Sequence, residues 1–183
     1  EKTNDAYAIA KIAGIKMCEN YNIQYKTNYK CLMPTNTFGP NDSYDTLNSH
    51  FFPALIKKVH DLKLNKKKEL ILWGNGLAKR EVLYVDDLAD ACIFFMKKNF
   101  FGTTLNIGTG KDFPIKQYAK MILDKIIPKN KIKIKYDLSK PNGTPRKILD
   151  IKLANKFGWK SKTKLDEAIK KTYKDFLENN KIV

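Results

Sequence analysis

An α/β fold is predicted by three features of this sequence. Segments with apolar residues at helical spacing alternate with short runs rich in β-branched and aromatic residues. The 183 residues are enough for one folded unit with a sizeable core. No internal repeat or long linker interrupts the alternation.

Residues 7–25 read as a helix, with Asn4 or Asp5 placed as its N-cap. Residues 29–33 read as a strand that stops at Pro34, which has no N–H to give a ladder. The stretch 35–49 is rich in Asn, Gly, Pro and Asp and reads as loop. Residues 51–62 read as helix, and 69–73 and 81–85 as strands either side of a Gly74-Asn75-Gly76 turn. Residues 86–98 read as a helix whose first turn carries Asp86 and Asp87, which complement its dipole. A short strand over 105–107 follows, then a helix over 114–127 with proline near its first turn. Residues 131–136 alternate lysine and apolar residues, as a strand with one buried face does. A final helix is expected over 165–179.

Composition excludes several classes. A hydrophobic content of 43% with nine tyrosines rules out a disordered polymer. The formal charge of +16 raises nucleic-acid binding. The lysines are scattered, however, as Lys57-Lys58, Lys66-Lys67-Lys68, Lys97-Lys98 and Lys170-Lys171, and form no single basic helix. No helix-turn-helix, zinc-finger or RNP signature is present, so no nucleic-acid partner is expected. The positive field suits a ligand carrying a diphosphate. Cys18, Cys31 and Cys92 have no metal-site or CxxC spacing, and no metal is expected. Their odd count, with no secretory segment, places the protein in a reducing cytoplasm. Cys18 is expected to pack inside the first helix. The longest apolar run, residues 91–96, is far short of the roughly 20 residues that span a bilayer, so no membrane is expected.

The first helix holds Tyr7 and Lys11, four residues apart and hence on one face. An ammonium beside a phenol favours the phenolate, which prepares the hydroxyl for proton transfer. No GxGxxG turn follows a strand and opens a helix. Gly74-Asn75-Gly76 runs into strand-like residues, and Gly108-Thr109-Gly110 lacks a third glycine, so both read as ordinary turns. With its first helix opening a few residues in, the chain reads as the C-terminal part of something longer.

Six blocks then occur in order: YAIAKIAGIKMCENYN, MPTNTFGPND, NSHFFPALIKK, WGNGLAKREVLYVDDLADA, LNIGTG and SKPNGTPRKILD. Together they resemble the GDP-L-fucose synthase family of extended short-chain dehydrogenase/reductases, from about residue 4 to about residue 179. The resemblance implies the C-terminal part of an NADP-binding Rossmann domain with a smaller α/β nucleotide-sugar domain. Residues 1–40 would belong to the Rossmann part and 41–183 mainly to the sugar domain, with 81–107 returning to the first. It implies NADPH as cofactor, a GDP-4-keto-sugar as substrate and a homodimer formed through the Tyr7 helix, whose Ile9, Ile12 and Ile15 give it an apolar face. It also implies a preceding segment on the order of 100 residues. That segment would carry a glycine-rich loop, a catalytic Ser and a Cys acid/base.

By the same resemblance, Tyr7 is the proton donor to the C4 oxygen, and Lys11 supports it and holds the nicotinamide ribose. Pro34, Thr35, Asn36 and Thr37 form the strand-end loop along the cofactor, and His50 is the epimerisation acid/base, close to cofactor and sugar. Lys58, Trp73, Arg80 and Asn142 meet the substrate. The family commonly has Asp where Asn142 stands, and an amide donates as well as accepts, which bears on which GDP-sugar is recognised. Plainer readings stand beside these. His50 would merely cap the helix after it, Trp73 would be a core aromatic, and Arg80 would pair with Asp86 or Asp87. His60 reads as a surface cation at the negative end of its helix. Two other functions stay open: a C4 reductase for a GDP-4-keto-heptose, and an inactive basic binding module.

Overall fold

The computed structural model describes residues 5–45, 49–98, 102 and 104–179. Asn4, and residues 46–48 of the expected loop, lie outside the described residues.

Helix α1 (Asp5–Tyr25) opens the chain and buries none of its residues. Strand β1 (Cys31–Pro34) pairs in parallel with β5 (Thr104–Ile107). The chain then changes partner. Thr35 N–H donates to the Ile107 carbonyl at 3.0 Å, and β2 (Asn36–Phe38) continues in parallel with β4 (Lys79–Tyr84). The expected loop from 35 therefore begins as strand. Three residues are too few for an alternating pattern to show.

Strand β4 also pairs with β6 (Asp112–Pro114), antiparallel, and with β8 (Arg146–Lys147), parallel. The strands flanking Gly74-Asn75-Gly76 are not partners of each other. β3 (Glu69–Trp73) runs parallel to β7 (Lys133–Asp137) instead. β6, β8 and α5 (Lys152–Lys156) are further elements with no counterpart in the sequence expectations. Each is at most five residues long, below the length at which periodicity speaks.

Two hydrophobic cores meet at β4, because alternate strand residues face opposite sides. Val82 and Tyr84 enter the larger core and Leu83 the smaller. The larger core is filled by helices α2 (Phe51–Leu64), α4 (Ile115–Ile126) and α6 (Leu165–Asn179). α2 buries Phe52, Leu55, Ile56, Val59 and Leu62, and α4 buries Tyr118, Ala119, Ile122, Leu123 and Ile126. These spacings of three and four make one apolar stripe per helix. Each large side chain so buried contributes about 1.5–3 kcal/mol. The smaller core joins β1 and β5 through Leu32, Leu105 and Ile107 to Ala91 and Phe95 of α3 (Val85–Met96), with Ala154 and Trp159.

Two side chains depart from expectation. Cys18 is half-buried, not interior, as no residue of α1 is fully buried. It lies against Cys31, whose thiol pKa is pushed up to about 11, first by burial and then by the Cys18 hydrogen bond. His60 is no surface cation. Its Nδ1 is 3.0 Å from Tyr173 Oη and its ring centroid 4.9 Å from that of Phe176. Burial lowers its pKa, favouring the neutral ring.

Candidate active site

On α1 the four-residue spacing brings the two side chains together. Lys11 Nζ lies over the Tyr7 ring, 5.4 Å from its centroid, a cation–π distance. Both side chains are exposed, so hydroxyl and ammonium are open to a ligand.

At the carboxyl end of β1, Pro34 sits opposite Ile107. Thr35 Oγ1 and Asn36 Nδ2 both donate to the carbonyl of Glu81, at 3.2 and 2.9 Å. Thr37 is in register with Leu83. Carboxyl ends of parallel strands are where open α/β sheets hold ligands. The side chains of Thr35 and Asn36 are committed to β4, so they fix the shape of this loop.

Glu81 is fully buried. Its Oε1 accepts the N–H groups of Thr109 and Gly110 at 2.6 and 2.7 Å and Thr109 Oγ1 at 3.3 Å. Its Oε2 accepts Leu149 N–H at 2.9 Å. Gly108-Thr109-Gly110 is thus more than an ordinary turn: its N–H groups cradle an internal carboxylate. A Cβ at Gly108 would lie 2.3 Å from Glu81 Oε1, so any side chain there would have to push that oxygen aside.

His50 is the extended residue before α2, exposed, with φ −62° and ψ 157°. Its carbonyl accepts Ala54 N–H at 3.1 Å, while its imidazole makes no cap bond. The side chain is therefore not used as a cap. Its charge counts at Asp42, whose pKa is raised by burial, with His50 among the opposing influences.

The four substrate candidates make three sets of contacts. Trp73 is 51% exposed, which sets aside the core-aromatic reading. Lys58 Nζ and Lys140 Nζ lie 5.2 and 5.7 Å from its ring centroid. Burial lowers the Lys58 pKa. Asn142 Oδ1 accepts Asn75 N–H at 2.7 Å, two residues beyond Trp73. Arg80 Nη1 donates to the carbonyls of Lys79 and Thr144, at 2.8 and 2.6 Å. Asp87, one of the two partners considered for Arg80, accepts Thr163 Oγ1 and Thr163 N–H at 2.9 and 3.1 Å.

A cavity of about 710 Å³, lined in part by Phe38, Tyr84, Thr109, Tyr118 and Lys164, takes in none of these candidates. Among the described residues, no three His, Cys, Asp or Glu side chains group to hold a metal.

Sequence reasoning missed Lys140, Asn75 and Glu81. Lys140 and Asn75 meet their partners only through the β3–β7 pairing, which no local pattern shows. Glu81 had a signal: it is in phase with Leu83 on β4, so its side chain points inward.

Residues 1–108 match the NAD dependent epimerase/dehydratase family. The chain is 41% identical over 188 residues to a GDP-L-fucose synthase of Escherichia coli strain K12, covering 98% of this chain and 58% of that protein. It is 42% identical over 179 residues to GDP-L-fucose synthase 1 of Arabidopsis thaliana, covering 98% of this chain and 55% of that protein. The chain thus spans about half the length of the curated relatives it matches. Among solved structures it resembles a GDP-D-glycero-L-gluco-heptose synthase from Campylobacter jejuni, determined in the presence of NADPH. There the TM-score is 0.83 at 30% identity, over 97% of this chain and 61% of that one.

Proposed function

This chain belongs to the NAD dependent epimerase/dehydratase family, and we propose that it serves an NADPH-dependent conversion of a GDP-4-keto-6-deoxy-sugar to GDP-L-fucose, by epimerisation at C3 and C5 and reduction at C4. The observation that carries the reading is similarity over 98% of the chain to the Escherichia coli GDP-L-fucose synthase.

The chemistry suits the residues. Bound NADPH would supply the hydride that reduces C4. The donor set fits a nicotinamide nucleotide: Lys11 offers three N–H donors to ribose hydroxyls, and Tyr7 stands beside it with a phenol. Tyr7 gives its proton to the C4 oxygen, and the Lys11 ammonium offsets the charge left behind. Pro34, Thr35, Asn36 and Thr37 shape the strand-end loop against the cofactor. The 4-keto group acidifies the hydrogens on C3 and C5, since the resulting carbanion spreads onto oxygen. His50 exchanges a proton there, a role imidazole can fill near neutral pH. Arg80, Lys58 and Trp73 receive the GDP moiety, a guanidinium and an ammonium being suited to a diphosphate. Asn142 shapes the turn next to Trp73.

The smaller core supports a Rossmann assignment for residues 1–40 and 81–107, since β1, β5 and α3 share it. Exposed Ile9 and Ile12 on α1 support a homodimer through that helix. The odd count of cysteines supports a cytoplasmic setting. The C. jejuni heptose synthase structure favours a second reading, C4 reduction of a GDP-4-keto-heptose.

The test is NADPH oxidation by the full-length protein with GDP-4-keto-6-deoxy-D-mannose, with the product read by NMR. GDP-L-fucose is expected, and Tyr7→Phe should slow turnover about 100- to 10,000-fold. Turnover only with a GDP-4-keto-heptose selects the second reading. No oxidation with either sugar, in a folded protein, moves the weight to an inactive basic binding module.

A further inference from the structure

We infer that Glu81 is a positioning residue that fixes the cofactor-side loop and the diphosphate-side arginine together, an inference resting on the function proposed above. Glu81 touches neither ligand in that proposal. Its place in the covalent chain and its hydrogen bonds connect both sides.

On the cofactor side, the carbonyl of Glu81 holds the side chains of Thr35 and Asn36. On the substrate side, Arg80 precedes it on β4 and faces the other way. Arg80 reaches the Thr144 carbonyl, and the chain from there runs through β8, paired with Lys79 and Arg80, to Leu149. Leu149 N–H returns to Glu81 Oε2, which closes the loop on the same residue. The Arg80 carbonyl is held in turn by Tyr118 Oη at 2.8 Å. The peptide between positions 80 and 81 is therefore fixed by both ligand-facing segments, and the carboxylate anchors it.

The residue type follows from the donors. Thr109 N–H, Gly110 N–H, Thr109 Oγ1 and Leu149 N–H all approach the side chain as donors. Only a carboxylate accepts on both oxygens; an amide would set its NH₂ against one group of N–H donors. A buried carboxylate left without partners is strongly disfavoured, so the four bonds and the residue hold each other in place.

The experiment compares full-length wild type, Glu81→Gln and Ala154→Gly, the last a packing change in the smaller core at a residue that makes none of the hydrogen bonds to Glu81. Affinities for NADPH alone and GDP alone are measured by calorimetry, and amide exchange is followed at Thr35, Asn36 and Thr144. Glu81→Gln should weaken both ligands roughly tenfold and speed exchange at all three amides. Ala154→Gly should lower the melting temperature and change neither. Unaltered affinities in Glu81→Gln, or an effect on one ligand only, overturn the inference. If wild type binds neither NADPH nor GDP, the proposed function fails. Exchange at Thr35, Asn36 and Thr144 then decides the role of Glu81 by itself, unaltered exchange overturning it. Should Glu81→Gln not fold, Gly108→Ala presses on the same carboxylate oxygen and is read in the same way.

Discussion

The side-chain oxygen of Asn142 and the backbone N–H of Asn75 are 2.7 Å apart, and the turn between them leaves no space at Gly74. A Cβ there would lie 2.4 Å from Asn142 Oδ1 and 3.0 Å from Asn142 Cα, at a backbone φ of +66°. Gly74→Ala therefore meets a clash and a left-handed conformation that alone costs about 1–2 kcal/mol. A fall in melting temperature is expected, and with it weaker GDP binding, because the displaced segment carries Asn142 and Trp73 moves with the turn. Asn142→Asp should behave differently. The bond uses an acceptor oxygen, which Asp also has. Stability should stay within about 0.5 kcal/mol of wild type by chemical denaturation. Any change in GDP affinity would then report charge and not shape.

Trp73 between two ammonium groups makes a second test. A cation over an aromatic face contributes about 0.5–1 kcal/mol at exposed sites. A double-mutant cycle with Lys58→Met and Trp73→Leu should show coupling of that size, read from unfolding. The same pair should weaken GDP, since a diphosphate would bridge the cations that the ring holds. The weakening should grow smaller at high salt, where ionic contacts are screened.

What was legible in the sequence divides along physical lines. Long helices were readable because four or five apolar residues at one spacing outweigh local noise, as in α2 and α4. Tyr7 and Lys11 were readable because helix geometry alone brings them together. The partner switch from β1 to β2 was not, since Pro34 marks a strand end in both cases and the next ladder is three residues long. Nor was the place of His60, whose surroundings come from Tyr173 and Phe176 on α6. The substrate candidates Trp73 and Asn142 were found by resemblance, but their contact through Asn75 depends on β3 pairing with β7 across sixty-odd residues of chain.

At low pH the Arg146–Asp112 pair should give way. Arg146 Nε is 2.6 Å from Asp112 Oδ2, and this hydrogen-bonded guanidinium holds the Asp112 carboxyl below the usual carboxylate range. A depressed carboxylate pKa means that the unfolded chain takes up protons first. The pair's contribution is present above about pH 4, the unfolded value, and is lost as pH falls through the lower folded value. Because the bond joins β6 to β8 across β4, Asp112→Asn should lower stability at neutral pH and flatten the acid limb of the unfolding curve.

His60 acts in a separate window. Its folded pKa is lowered, chiefly by burial, with Lys57 and Lys63 adding to the effect and Asp61 opposing it. An unfolded histidine titrates near about 6.5. Between the two values the unfolded chain holds more protons, so stability falls as pH drops below about 6.5 and the loss is complete below the folded value. Above about 6.5 this group contributes no slope. Urea unfolding at about pH 7.5, 6 and 5 should show the decline in wild type and a shallower one in His60→Gln, with His50 present in both. Tyr173→Phe removes the hydroxyl from His60 Nδ1 and should cost about 0.5–1.5 kcal/mol at neutral pH. It should leave the decline in place, because the ring stays packed against Phe176 and burial, the main cause, persists. If Tyr173→Phe abolishes the decline instead, the hydrogen bond rather than burial sets the protonation state of His60.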